Sequence, residues 1–284
     1  MPLLPAQTAT QANHQRYAPR TVPGDSAPAW VTRGTNFVVV VSRVSPGDTL
    51  VRDNPDEYVL VVPPDAPNLW VQVQAGAESV RAGADSLTIV PPGHSTLRIE
   101  GSGLVARIFS SDATDLLALA DNRDTYAQPN PDVAPLAAWP EPVGGYRLRH
   151  YHLPDYVTEG SQMRVFSTRK LMVNPLLKRS VPRDVHKLTP HSHADFEQGS
   201  LALAGNYVHH LRYPWGTDMT LWQEDQAVQM GSPSLLVVPP KVIHTSRNID
   251  APGVLLDIFA PPRWDFSRKG QVCNAADYPM PPEA

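Results

Sequence analysis

Two apolar runs end in the same double-proline turn, and that recurrence limits the fold more than any other feature of the chain. Ser86-Leu87-Thr88-Ile89-Val90-Pro91-Pro92-Gly93 is echoed by Ser234-Leu235-Leu236-Val237-Val238-Pro239-Pro240-Lys241, at a constant offset of 148 positions (86 to 234). Self-similarity at a fixed spacing marks related structural units, so the chain reads as two halves of one design. Each copy is a β-branched strand running into a turn that proline enforces.

The rest of the sequence fits that design. Phe37-Val38-Val39-Val40-Val41, Tyr58-Val59-Leu60-Val61-Val62, Trp70-Val71-Gln72-Val73, Leu87-Thr88-Ile89-Val90 and Val105-Ala106-Arg107-Ile108-Phe109 are short strands separated by Pro-Gly and Pro-Pro breaks. Strands at this spacing predict an all-β sandwich or barrel. The 31 prolines are about twice the usual ~5% and sit in turns and termini. Thr114–Asp121 is the best helix, with Thr114 as its expected cap.

Residues 1–28 are polar and aperiodic and read as an arm that is mobile or draped over a neighbour. A first barrel is expected over 29–126. Gln128-Pro129-Asn130-Pro131 through Gly144-Gly145 makes 127–145 a stiff linker. A second barrel is expected over 146–268, followed by a tail, 269–284, that packs back on it.

Charge and composition exclude several function classes. A net charge of -4 gives no electrostatic reason to bind nucleic acid or an anionic membrane. No run approaches the ~20 apolar residues of a membrane span, and no secretion signal opens the chain, so cytoplasmic residence is expected. The single cysteine, Cys273, excludes an internal disulfide and a thiolate metal site. Glycine-rich phosphate loops, a Gly-x-Ser-x-Gly elbow and a dinucleotide fingerprint are missing.

Chemistry concentrates in the second half. His191 and His193 are one residue apart, so on a strand they point to one face. His244, after the second double-proline turn, can join them to make a divalent transition-metal site. The offset sets Thr96 opposite His244, so the first half lacks the matching histidine, and it has no His-x-His.

These residues resemble the cupin superfamily, and the two halves resemble a bicupin: tandem jelly-roll barrels with the metal site kept only in the carboxy-terminal one. The family's first motif, G-x5-H-x-H-x3,4-E-x6-G, is met by His191 and His193. Counting back from Gly205 puts Gln198 where the family has its carboxylate, and Glu197 fits the shorter spacing; water is the remaining option. In the second motif, G-x5-P-x-G-x2-H-x3-N, Pro239, His244 and Asn248 match. Lys241 and Pro233 stand where glycines are usual. In the first half Glu57 is the one plausible relic ligand.

The resemblance implies a metal-dependent enzyme, foremost a non-haem Fe(II) dioxygenase cleaving a small oxygenated substrate. Cupins also include isomerases, decarboxylases, cyclases and hydrolases using Zn, Ni or Mn, and ligand-binding sensors. The metal ligands would be His191, His193, Gln198 and His244. With glutamine in place of glutamate the site keeps a charge near +2, which favours a chelating anion. The resemblance also implies a homodimer, with the arm as the element expected to exchange between subunits.

Other residues are candidates by strand parity. Lys187 and Thr189 share parity with His191 and His193, so Lys187 is a candidate to neutralise a substrate anion. Of the adjacent pair His209 and His210, one must face inward, and His209 is assigned as a catalytic proton carrier. Tyr207 and Arg212 are weaker candidates. Trp215 and Trp222 read as packing residues, and His94, His186 and Cys273 receive no role.

Overall fold

The computed structural model describes residues 8–282; residues 1–7 of the expected arm and 283–284 of the tail lie outside them. Four antiparallel sheets form two barrels, each a large sheet facing a small one. In the first, the strands Arg149–His152, Ser86–Val90, Tyr58–Val62, Gly103–Ser110, Phe37–Val44, Pro28–Arg33 and Arg20–Thr21 lie side by side in that order. They face the sheet of Thr49–Asn54, Gly93–Glu100, Trp70–Ala75 and Glu78–Ala82. In the second, Thr10–Asn13, Ser234–Val238, Gln198–Ala204, Val254–Phe259, Met172–Pro175 and Phe166–Ser167 face Gln226–Met230, Tyr207–Arg212 and Ile243–Asn248.

The two halves exchange edge strands. Thr10–Asn13, from the expected arm, pairs with Ser234–Val238 of the second barrel within the same chain, Thr10 opposite Val237. Arg149–His152, expected to open the second barrel, instead pairs with Ser86–Val90 of the first, Arg149 opposite Ile89. Ile89 and Val237 are themselves 148 positions apart (89 to 237), so both borrowed strands take the same register. Each covers an edge that would otherwise present unpaired N–H and C=O groups. Residues 127–145 contain no strand. The tail crosses between the halves: Asn274 brackets Ser167 with two hydrogen bonds of 2.8 Å, and the Tyr278 hydroxyl donates to Glu57.

The strongest strands carry unbroken apolar runs, Phe37–Val41 and Tyr58–Val62, because both of their faces are covered there. Along Phe37–Val44, Val38 and Val40 fill the first barrel, whereas Phe37, Val39 and Val41 join a core between the barrels. That second core also takes Leu201, Leu203, Leu235, Val237, Leu256 and Ile258 from the large sheet of the second barrel. Odd positions of Gln198–Ala204 therefore face the first barrel, and even ones face into their own. Burying each such aliphatic side chain contributes about 1.5–3 kcal/mol. The expected helix forms over Thr114–Leu119, but Ala113 is its N-cap and no side chain caps it.

Candidate metal centre

His191 and His193 are not on a regular strand, contrary to the alternation expected for them. Pro190 and the bend at Ala194-Asp195 interrupt pairing, and His191 makes only an isolated antiparallel bridge to His244. Its two bonds, His191 N–H to His244 O at 3.1 Å and the return bond at 2.8 Å, bring the rings together. The ring centroids are 4.5 Å apart for His191 and His244, 5.0 Å for His191 and His193, and 5.3 Å for His193 and His244. One ring nitrogen from each lies within 4.8 Å of the others.

The rings of His191 and His244 are held in a ligand-ready state. Nδ1 of His191 is 2.9 Å from the Thr189 carbonyl and Nδ1 of His244 is 3.0 Å from that of Val242. A carbonyl only accepts, so both Nδ1 atoms carry hydrogen and both Nε2 atoms keep a free lone pair. The buried Nε2 of His244 has no partner among the described residues. Burial lowers the pKa of His193 to about 4 and of His244 to about 3, so both rings are neutral at neutral pH. His193 is further pinned by Phe196, 4.2 Å between centroids, and by Phe259. Three imidazoles, one of them with an orphaned buried nitrogen, fit a divalent transition metal.

Gln198 faces the centre and Glu197 does not. The Gln198 Oε1 lies 2.8 Å from Nε2 of His193, while its Nε2 donates to Ser200 Oγ and Asp257 Oδ1, each at 3.0 Å. Glu197, at the odd position, turns to the first barrel and accepts the Thr35 N–H at 2.6 Å. The parity of the strand that follows separates the two candidates.

The centre opens into a cavity of about 650 Å³, lined among others by Arg179, Arg183, Tyr207, Leu255, Asp257 and Phe259. Asp257 escaped the sequence reading. Burial raises its pKa to about 6. A lone acid inside the apolar strand Val254–Phe259 was the signal for it, since a charge there needs a reason.

In sequence the chain stands apart: no protein-family model and no curated protein matches it. Solved structures match over most of its length. The Escherichia coli protein Ylba, of the family model DUF861, superposes with a TM-score of 0.60 at 10% identity, over 92% of this chain and 94% of that one. The oxalate decarboxylase of Lactobacillus farciminis, in a formate complex, gives 0.56 at 12% identity over 89% and 86%. A variant of the Bacillus subtilis oxalate decarboxylase gives 0.57 at 13% over 88% and 77%. The chain has the bicupin fold. At these identities the likeness is one of architecture.

The bicupin register explains why the first barrel has no such centre. Gln198 pairs with Val238 as Tyr58 pairs with Val90, so Tyr58 stands where Gln198 does. Ser200 pairs with Asp257 as Leu60 pairs with Arg107, so Arg107 replaces the acid. Arg107 is ion-paired with Asp25 inside the barrel, and Tyr58 bonds Ser95 at 2.9 Å; large side chains occupy the space. Glu57 is no relic ligand. Like Glu197 it sits at the odd position, and it accepts from Tyr278 and from the Arg169 N–H of the other half.

Two further candidates need correction. Lys187 is in an exposed turn closed by its own N–H to the Asp184 carbonyl, so strand parity does not apply, and it does not line the cavity. His209 does face inward and is buried, but its Nδ1 is engaged with Ser246 Oγ at 2.7 Å, and it is not among the cavity-lining residues. Burial lowers its pKa to about 3. Arg212 is exposed and paired with Asp225. Trp215 and Trp222 stack on one another at 4.4 Å, with Trp215 exposed. Among the described residues no helix is long and apolar enough to cross a membrane.

Proposed function

We propose that this bicupin is a metal-dependent enzyme acting on a small, oxygen-bearing organic anion, with oxidative carbon–carbon cleavage by a non-haem Fe(II) dioxygenase as the leading reaction class. The observation that carries this is the histidine trio: three ring nitrogens within 4.8 Å, opening onto a cavity of substrate size. His191, His193 and His244 would hold the ion, with Gln198 beside them. Bound iron would supply oxygen activation, whereas Zn, Ni or Mn would supply Lewis acidity alone.

The chain's own residues prepare the site for an anion. No candidate ligand is a carboxylate, so no anionic side chain in the ligand set cancels the charge of the cation. Phe259 and Phe266 on the cavity wall beside His193 limit water around the reacting end. Asp257, with its pKa near 6, is placed to hold or release a proton beside Gln198.

Non-oxidative cleavage, such as decarboxylation, is the second reading. Its support is the shared architecture with oxalate decarboxylases, of which the Bacillus subtilis enzyme has Mn(II) centres. Elemental analysis of protein purified without added metal should find a stoichiometric transition metal that His244→Ala loses. Oxygen uptake during turnover then separates the classes, because an active form holding only zinc would rule out the dioxygenase. Association of two chains as a homodimer belongs to the same proposal and is read by size-exclusion chromatography.

A further inference from the structure

The cavity that contains the histidines also contains two guanidinium groups, of Arg179 and Arg183, that form no ion pair among the described residues. Where this chain buries an arginine for structure it provides a carboxylate: Arg107 meets Asp25, Arg164 meets Asp85 and Arg52 meets Asp115. Arg179 and Arg183, half-buried on the cavity wall, have no such ion pair; Asp257, which shares the cavity, is hydrogen-bonded by Gln198 and Ser200 instead. Arg183 acts as a clip, donating to the Ser246 carbonyl at 2.8 Å and to Thr189 Oγ1 at 2.9 Å. Thr189 in turn offers its carbonyl to His191.

Arg179 makes no such bonds. Its backbone is fixed by two 2.9 Å hydrogen bonds with Gly253, yet its half-buried side chain has no hydrogen bond or ion pair among the described residues. Beside it, the buried Tyr207 lines the same cavity with a hydroxyl that is equally unpartnered. Gly253, to which the Arg179 backbone is bonded, also lies directly against the Tyr207 hydroxyl. A guanidinium and a phenol O–H together are a set of donors awaiting an acceptor. A planar carboxylate matches the guanidinium fork through two parallel bonds. Leu176, Leu177 and Leu255 line the same cavity and suit a short apolar chain.

We propose that Arg179 and Tyr207 bind a carboxylate of the substrate remote from the histidines, so that the cavity takes a small dicarboxylate whose other end faces the metal centre. Only that other end rests on the metal-dependent reading; the arginine wall stands on its own contacts.

The test titrates glutarate, by calorimetry, into metal-stripped and Mn(II)-loaded protein, for wild type, Arg179→Gln and Tyr207→Phe. Glutarate affinity should fall at least tenfold in Arg179→Gln and severalfold in Tyr207→Phe, with or without Mn(II). Thermal unfolding of Arg179→Gln should match wild type, because the side chain supports nothing in the fold. Equal glutarate affinity in wild type and Arg179→Gln, or no binding by wild type, overturns the proposal. A parallel titration with Mn(II) alone keeps the two ideas apart. If wild type ignores Mn(II) but its glutarate binding requires Arg179, the metal reading fails and this one stands. If Mn(II) binds through the histidines and Arg179→Gln is silent, the reverse holds.

Discussion

The Gln198 amide donates to the Asp257 carboxylate at 3.0 Å across two adjacent strands, and this one contact decides which way the glutamine points. A carboxylate can only accept, so the amide NH₂ must turn toward it and the carbonyl oxygen toward His193. Ser200 reinforces the same choice with its own bond to Asp257 at 3.2 Å. A neutral ligand atom is thus aimed by a charged residue that touches none of the three imidazoles.

Asp257→Ala should therefore weaken metal binding without removing a ligand. Freed from the carboxylate, the amide can rotate and offer NH₂ to the centre. Loss of such a supporting group typically costs about 10–100-fold in affinity. Competition with a chromophoric chelator measures it; an unchanged dissociation constant would show that Gln198 needs no support from Asp257.

Gln198→Glu should make the fold more dependent on metal. The new carboxylate would face Asp257 at about the same separation, and two like charges that close resist joint ionisation. Without metal the variant should unfold at a lower temperature than wild type at neutral pH. With Mn(II) or Zn(II) its gain in Tm should exceed that of wild type, because the ion now meets an anionic oxygen. Equal metal-induced gains would remove Gln198 from the ligand set.

Lys241→Gly should stabilise the protein. Lys241 has φ +69°, and its counterpart Gly93, 148 positions earlier, also has positive φ. A side chain in this region costs roughly 1–2 kcal/mol, so a net gain of about 1 kcal/mol is expected after loss of the exposed Asp132 ion pair. Chemical denaturation should show the midpoint moving up. A lower midpoint would mean that the Asp132 contact outweighs the strain.

Glu57→Gln should flatten the pH dependence of stability on the acid side. Burial raises the pKa of Glu57 from 4.5 to about 6, so the folded protein keeps that proton to higher pH than the unfolded chain does. The stabilisation is complete below about pH 4.5 and is lost as pH rises through about 6, by roughly 2 kcal/mol at most. Unfolding free energies across that interval should decline in wild type and stay level in the variant. Identical slopes would place the titration elsewhere.

Glu57 and Glu197 also mark the point at which sequence reading ran out. Both precede a strand, both are acids near a place where a ligand was sought, and both turn out to tie one barrel to the other. The strand that follows each has its odd residues in the inter-barrel core, Val59 and Val61 in one case, Leu201 and Leu203 in the other. Alternation alone says that neighbours face opposite ways. Which side is the interior depends on where the second barrel packs.

The strand pattern, the echo with offset 148 and the histidine pair belong to the sequence itself, since side-chain period, proline geometry and imidazole chemistry are local properties. From them follow an all-β chain in two related halves and a trio that can meet. The exchange of Thr10–Asn13 and Arg149–His152 between barrels, the aim of Gln198 and the solitude of Arg179 arise only when distant strands are laid side by side. Contacts between residues far apart along a chain are set by how sheets stack, and no short-range rule encodes that.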